Sequence, residues 1–404
     1  MTLTRKALLA RTGAVVTAGA IAGCGTKSEP KPAPVNLRDW DDVRGLYPLK
    51  PGLHHLNAFL LAPHTAPVAA AIARHRKGLD QDPGGYLAEH EVVLDDEVAQ
   101  AAARHLGADP EEIALTDSTT MGLGLLYGGL RLRGRDEVVT TTHDFYSTHE
   151  ALRLSGARVR RIRLYRRPEA ASADEILDSV RRGIGPRTRV LAITWVHSGT
   201  GVKLPLAAIA RALPERVLLA VDAVHALGVE PPVQGPDFLA AGTHKWLAGP
   251  RGTGILYGRS GAWDEVGAII PPFHSDGSAP GSAHTPGGYH SFEHRWALAD
   301  AFALHAKIGP DRIQARIHAL ATRLKDALAD TPGITLKTPR DAELSAGLVC
   351  CLHGDEDPRT TVDDLRRRKV LASVTPYAQP YVRFGAGLFS NEADVDAAVD
   401  ALRG

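Results

Sequence analysis

The strongest constraint in this sequence is an alternation. Between about Asn57 and Tyr257, short β-rich runs are each followed by a longer stretch with helical spacing. Such a chain folds most directly as a mostly parallel sheet with helices on both faces, because parallel neighbours need the crossovers that helical stretches supply. The candidate strands are Glu112 to Leu115, Glu137 to Thr141, Val159 to Leu164, Val190 to Val196, Val217 to Val221 and Gly254 to Tyr257. Most are apolar, as strands covered on both faces must be; Val159 to Leu164 is interleaved with arginines and is expected at an edge. Further on, Ile313 to Leu328 and Glu392 to Leu402 have helical spacing, and Leu348 to Leu352 reads as a strand, which outlines a smaller α+β domain.

The 404 residues are enough for two or three domains, or for one large α/β unit with a smaller one attached. Forty-seven basic residues against 46 acidic ones leave a net charge of +1, so no single-sign field exists to attract nucleic acid. With 44% apolar and 23% charged residues, the chain is neither disordered nor a multispan membrane protein.

In an open α/β sheet, ligands collect beyond the carboxyl ends of the strands. Asp222 stands at one such tip, after Val217 to Val221, and is followed by Ala-Val-His225. A buried acid of this kind needs a partner. Further along, Lys245 lies among apolar and small residues with no neighbouring carboxylate in the sequence. Desolvation without a counter-ion lowers a lysine pKa and frees the amine as a nucleophile. Together they outline an amine that can condense with an aldehyde and an acid that can keep a pyridine nitrogen protonated, the two requirements of pyridoxal phosphate. Ser118, Thr119 and Thr120 follow a strand and open a helix, where hydroxyls and free N–H groups suit a phosphate dianion. Thr243 and His244 can add donors beside the lysine.

These segments resemble the class V aminotransferase family of fold-type I pyridoxal phosphate enzymes, which includes isopenicillin N epimerase-like proteins, cysteine desulfurases and kynureninases. Thr243 to Gly254 is similar to the family's lysine loop, and Val221 to His225 to the strand whose acid meets the pyridine nitrogen and whose His or Gln lies near the ring hydroxyl. Ser118-Thr119-Thr120 is similar to the phosphate loop, Thr141-Thr142-His143 to the segment that carries an imidazole over the ring, and Ser198 to a polar position near a cofactor oxygen. Tyr381-Val-Arg383-Phe resembles the pattern whose arginine clamps the substrate α-carboxylate, a fit for a guanidinium fork. The resemblance implies a large domain over 37–290 with a mostly parallel, seven-stranded type of sheet, its first twenty or so residues packing on a small α+β domain over 291–404. It also implies a homodimer, a small amino substrate, and chemistry that starts with removal of the Cα proton by Lys245. Transamination, epimerisation and elimination, including C–S lysis, stay open. There are departures: Trp195 and His197 replace the usual His and Ser, Met121 stands where an acid is common, and Ser291 to Trp296 lacks the Gly-Thr that reaches a partner's phosphate, leaving Arg295 or His294 to replace it.

The amino terminus reads as an address. Arg5, Lys6 and Arg11 precede an apolar stretch from Gly13 to Gly23, too short for a bilayer core that needs about 20 residues, and Ile21-Ala-Gly-Cys24 resembles a bacterial lipobox. Residues 1–24 are therefore expected to be an export signal of weakened twin-arginine type, and 25–36 a flexible tether. Cys24 would carry lipid on the outer side of the bacterial cytoplasmic membrane. Cys350 and Cys351 are expected as small core residues, and no cysteine lies in Leu371 to Pro380, near where the desulfurases carry their thiol. No His-Glu-x-x-His or paired Cys-x-x-Cys occurs, so no metal site is expected. Two rivals come from other classes. Gly122-Leu-Gly124 has its third glycine misplaced for a dinucleotide fingerprint, and an exported binding protein could keep the fold without catalysis.

Overall fold

In the computed structural model, which describes residues 35–273 and 279–403, thirteen strands form three sheets. They are β1 (His54–His55), β2 (Ile113–Thr116), β3 (Glu137–Thr141), β4 (Arg158–Ile162), β5 (Thr188–Thr194), β6 (Leu218–Asp222), β7 (Phe238–Gly242), β8 (Gly254–Gly258), β9 (Ile334–Leu336), β10 (Leu348–His353), β11 (Val370–Leu371), β12 (Ser373–Val374) and β13 (Val382–Gly385). The helices are α1 (Trp40–Gly45), α2 (Ala66–Gln81), α3 (Pro83–Leu106), α4 (Thr119–Gly129), α5 (Tyr146–Leu154), α6 (Ala173–Gly183), α7 (Leu206–Ala212), α8 (Pro280–Ala283), α9 (Phe292–Ile308), α10 (Pro310–Ala329), α11 (Pro358–Arg367) and α12 (Glu392–Arg403). The export signal, Cys24 and most of the tether lie outside the described residues.

The large sheet has seven strands in the order β2-β8-β7-β6-β5-β3-β4. Its neighbours are parallel except for β8, which runs antiparallel to both β2 and β7. The arginine-rich β4 lies at the edge, as its composition requires, and Arg160 reaches back to Glu137 at 2.9 Å. Two features were not foreseen. β7 is a fully buried Phe-Leu-Ala-Ala-Gly run, and so short an alanine-rich segment carries no strand signal of its own. β8 was expected as a strand, but nothing in its sequence announces that it runs backwards.

Register sets the strand tips side by side. Thr194 pairs with Asp222, Asp222 with Ala240, and Gly254 lies between Thr116 and Gly242. Asp222, the loop after β7 and the start of α4 therefore share one end of the sheet.

A second sheet, β12-β13-β10-β9, is antiparallel and packs with α10, α11 and α12 around Leu324, Val349, Phe384 and Val399. Cys350 and Cys351 are buried, free thiols within β10. The chain's early residues join this part: β1 pairs with β11, Leu56 enters its core, and Arg44 and His54 both meet Asp394, at 2.6 and 3.0 Å. In contrast, α9 packs against α2 and α3, with its Leu298, Phe302 and Ile308 in the larger core.

The loop from Thr243 to Thr253, which carries Lys245, is closed on itself and pinned to both sheets. Thr243 N donates to Thr253 O and Gly249 N to Thr243 O. The buried Trp246 donates from Nε1 to Ala386 O at 3.1 Å, just past β13. Gly228, at φ +85°, backs the loop so closely that a Cβ would sit 2.5 Å from Leu247 N. Gly228→Ala is therefore expected to lower the unfolding free energy by about 1–3 kcal/mol through backbone strain and to displace the loop. Urea denaturation checks this, and an unchanged midpoint would show that the loop has slack.

Candidate active site

Lys245 is half-buried as a residue, but its amine is turned inward, with Nζ 3.3 Å from His225 Nε2. Burial pushes its pKa down to about 7; the Asp222 carboxylate draws it back up, and the Arg383 guanidinium adds a smaller push downward. Near neutral pH a large share of this amine is unprotonated and nucleophilic. Asp222 is buried at the end of β6, and burial raises its carboxyl to about 6 against the opposing pull of the Val224 N–H and Lys245. Its Oδ1 accepts from Val224 N at 3.0 Å, the one hydrogen bond to the carboxylate among the described residues.

His225 is held neutral, mainly by burial and next by Lys245. Its ring stands edge-on to Trp246, and Nδ1 is buried without a hydrogen-bond partner among the described residues. His244, which precedes the lysine in the chain, is also kept neutral by burial, at about 4. A Cβ at Gly242 would lie 3.0 Å from the His244 ring and 3.2 Å from Thr119 Oγ1, so a side chain there would crowd both groups.

Of the three residues that open α4, Ser118 is the N-cap, its Oγ accepting from Met121 N at 3.1 Å. Thr119 accepts from Gly242 N at 2.7 Å, which ties the helix start to the tip of β7. Thr120 is exposed, and the N–H groups of Thr119 and Thr120 have no acceptor among the described residues. Thr243 departs from the expectation that it adds a donor beside the lysine. Its hydroxyl is wholly buried and spent on Thr253, 2.5 Å from that residue's Oγ1, so it closes the loop instead. Gly122 and Gly124 lie inside α4, away from any strand-to-helix turn.

Arg383, on β13, is 7% exposed, and among the described residues its hydrogen bonds go to neutral acceptors: Ser198 O at 3.1 Å and Ser373 Oγ at 3.2 and 3.3 Å. Its guanidinium lies 4.1 Å from the centre of the Phe59 ring. A buried arginine with no carboxylate partner among the described residues is poised for one from outside. Ser198 turns its hydroxyl to Tyr377 Oη, 2.5 Å away. His143 does not reach Lys245 through any described contact; it stacks on Tyr165 at 3.9 Å, and its Nε2 accepts from Leu164 N. Arg295 is buried and paired with Asp95 at 3.3 Å, so its charge is already engaged within the chain.

Sequence reasoning missed two residues here. Asp144 is buried and accepts from Thr140 Oγ1, Thr141 N and Thr194 N, lashing the tips of β3 and β5 together. It immediately follows the β3 tip segment, so the rule that found Asp222 applied to it as well. Tyr377 gave no such signal, because it sits in an irregular loop whose path no periodicity reveals.

The site thus holds several groups with capacity to spare among the described residues: a desolvated amine, a carboxylate with one hydrogen bond, an imidazole nitrogen without a partner, N–H groups at a helix start without acceptors and a guanidinium without a carboxylate. This donor set fits an aldehyde-bearing, phosphorylated heteroaromatic ring together with a carboxylate substrate.

Comparison with known proteins agrees. The family model described as aminotransferase class-V matches residues 94–383. Isopenicillin N epimerase of Streptomyces clavuligerus is 29% identical over 400 residues, covering 91% of this chain and 98% of the relative. A probable hercynylcysteine sulfoxide lyase of Mycobacterium tuberculosis is 26% identical, covering 90% and 92%. Among solved structures, the cystine C-S lyase C-DES in complex with cysteine persulfide has a TM-score of 0.79 over 87% of this chain and 98% of its own, at 20% identity, a likeness of fold. With its family model spanning most of the chain and its fold shared, this protein belongs to the class-V aminotransferase family.

Proposed function

We propose that this protein is a pyridoxal phosphate-dependent enzyme that acts at the Cα of an amino acid or amino-terminated substrate, of the epimerase or aminotransferase type. The observation that carries the reading is the Lys245 amine, buried against His225 and under the influence of Asp222 and Arg383. When bound, pyridoxal phosphate supplies an aldehyde that condenses with amines and a ring that accepts charge from Cα. Asp222 and His225 would hold the ring's polar atoms, His143 its face and Ser198 a ring oxygen. Ser118, Thr119, Thr120 and His244 would hold the phosphate.

The chain's own residues do the rest. Arg383 binds the substrate α-carboxylate and thereby fixes which Cα bond faces Lys245. Lys245 Nζ, unprotonated in large part near neutral pH, takes the Cα proton and can return it. Trp246, buried and edge-on to His225, holds in place the loop that carries the amine. Sulfur transfer through a protein thiol is disfavoured, because Cys350 and Cys351 are buried in β10 and burial raises the Cys350 thiol to about 12. The relative named as an epimerase, aligned over nearly the whole chain, supports the same choice. C–S or β-elimination remains the alternative. A homodimer belongs to the proposal through the family likeness.

Incubation of the cofactor-loaded protein with individual L- and D-amino acids in deuterated water, with and without a keto-acid acceptor, tests the reading. Deuterium at Cα with inversion marks epimerisation, and stoichiometric pyridoxamine phosphate marks transfer. Pyruvate release without either would establish the eliminating alternative. An unlabelled Cα across the whole panel would count against chemistry at that atom.

We propose also that the protein is exported by a twin-arginine-like route and anchored through a lipid on Cys24, which the residue pattern from Arg5 to Cys24 supports. Wild-type protein expressed in a bacterium fed an alkyne fatty acid should label and sediment with membranes, and Cys24→Ser should do neither. Recovery of unlabelled wild-type protein solely from the cytosol would refute the anchor.

A further inference from the structure

Beside the site, and sharing His143 with it, is an open recess of about 450 Å³ whose outer part has no role in the mechanism above. His143, Tyr165, His197 and Tyr377 form much of its wall, and Arg163 and Arg166 stand at it; no acidic residue lines it among the described residues. It lies next to the α-carboxylate clamp, because Tyr377 Oη meets Ser198 Oγ while Ser198 O accepts from Arg383.

Two of its groups lack partners. Arg163 has no acidic partner among the described residues, whereas Arg166 stands 3.5 Å from Glu175. His197 is 1% exposed; its Nδ1 lies 2.9 Å from Tyr165 Oη, and its Nε2 is buried with no partner among the described residues. Whichever tautomer the ring adopts, its second nitrogen is an unused polar atom, and it stands beside an unused cation. The face is aromatic, positive and concave, one side chain away from Arg383.

Resting on the reading of Lys245 as the amine-reactive centre, we propose that this recess receives the distal part of an extended amino substrate and that Arg163 pairs with an anionic group there. The substrate class is then an amino acid or short peptide with two separated acidic ends, one at Arg383 and one at Arg163. A small neutral amino acid would leave the recess unfilled.

The test uses the full cofactor-loaded chain and two probes that differ only in distal charge, γ-L-glutamylglycine and its terminal amide. Binding is read by isothermal titration calorimetry and, separately, by the change in visible absorption of the cofactor, with L-alanine as the small comparison. A charge-assisted contact should make the acid bind about tenfold tighter than the amide. Arg163→Gln should bring the ratio to about one, while Arg181→Ala, on α6 and outside the recess, should keep the tenfold preference. Equal calorimetric affinity of acid and amide in the parent protein, or a preference that survives Arg163→Gln, would overturn the assignment. A calorimetric preference with no absorption change for any probe would uphold the recess and instead defeat the reading of Lys245.

Discussion

The whole arrangement depends on how one amine is solvated. Lys245 would be a strongly hydrated cation at the surface; in the loop between β7 and β8 it loses that water, and burial is the largest influence on its pKa. Asp222 moderates the effect without cancelling it, because the acid is itself buried and pushed up to about 6. Arg383 works in the other direction, disfavouring a second positive charge nearby. The result is an amine with much of its nucleophilicity available near neutral pH and an acid close enough to matter.

Three structural devices keep that balance. Parallel pairing of β5, β6 and β7 brings Thr194, Asp222 and Ala240 into line at one end of the sheet. Trp246 joins the lysine loop to the chain beyond β13, so Arg383 and Lys245 are located by one continuous packing. Asp144 holds the tips of β3 and β5 with three hydrogen bonds, which fixes the edge from which His143 and Ser198 depart. Ser198 is shared between Tyr377 and Arg383, which ties the buried arginine to the recess beside it.

Much of this was legible in the residues. Strand-tip logic found Asp222, and the apolar surroundings of Lys245 announced a perturbed amine. The edge position of β4 could be read from its arginines. Other features were hidden for physical reasons. β7 is short and rich in alanine, and the reversed direction of β8 is set by pairing that no local pattern encodes. Thr243 looked like a free donor because its partner, Thr253, comes from the far side of the loop. The stacking of His143 on Tyr165, and of Arg383 on Phe59, joins residues far apart in the chain, which spacing alone cannot show.

The central claim, that Lys245 is a desolvated amine with an ordinary nucleophile's availability near neutral pH, can be met directly. Protein stripped of cofactor would be mixed with a fixed concentration of pyridoxal phosphate across a range of pH, and the rate of appearance of its borohydride-reducible absorption followed, with Lys245→Ala as the blank. A protonated amine cannot attack, so the rate should rise with pH, reach half its plateau near 7, the value to which burial brings this lysine, and level off above that. A rate that keeps climbing toward the ordinary lysine value of 10.5, or one that is the same in Lys245→Ala, would contradict it.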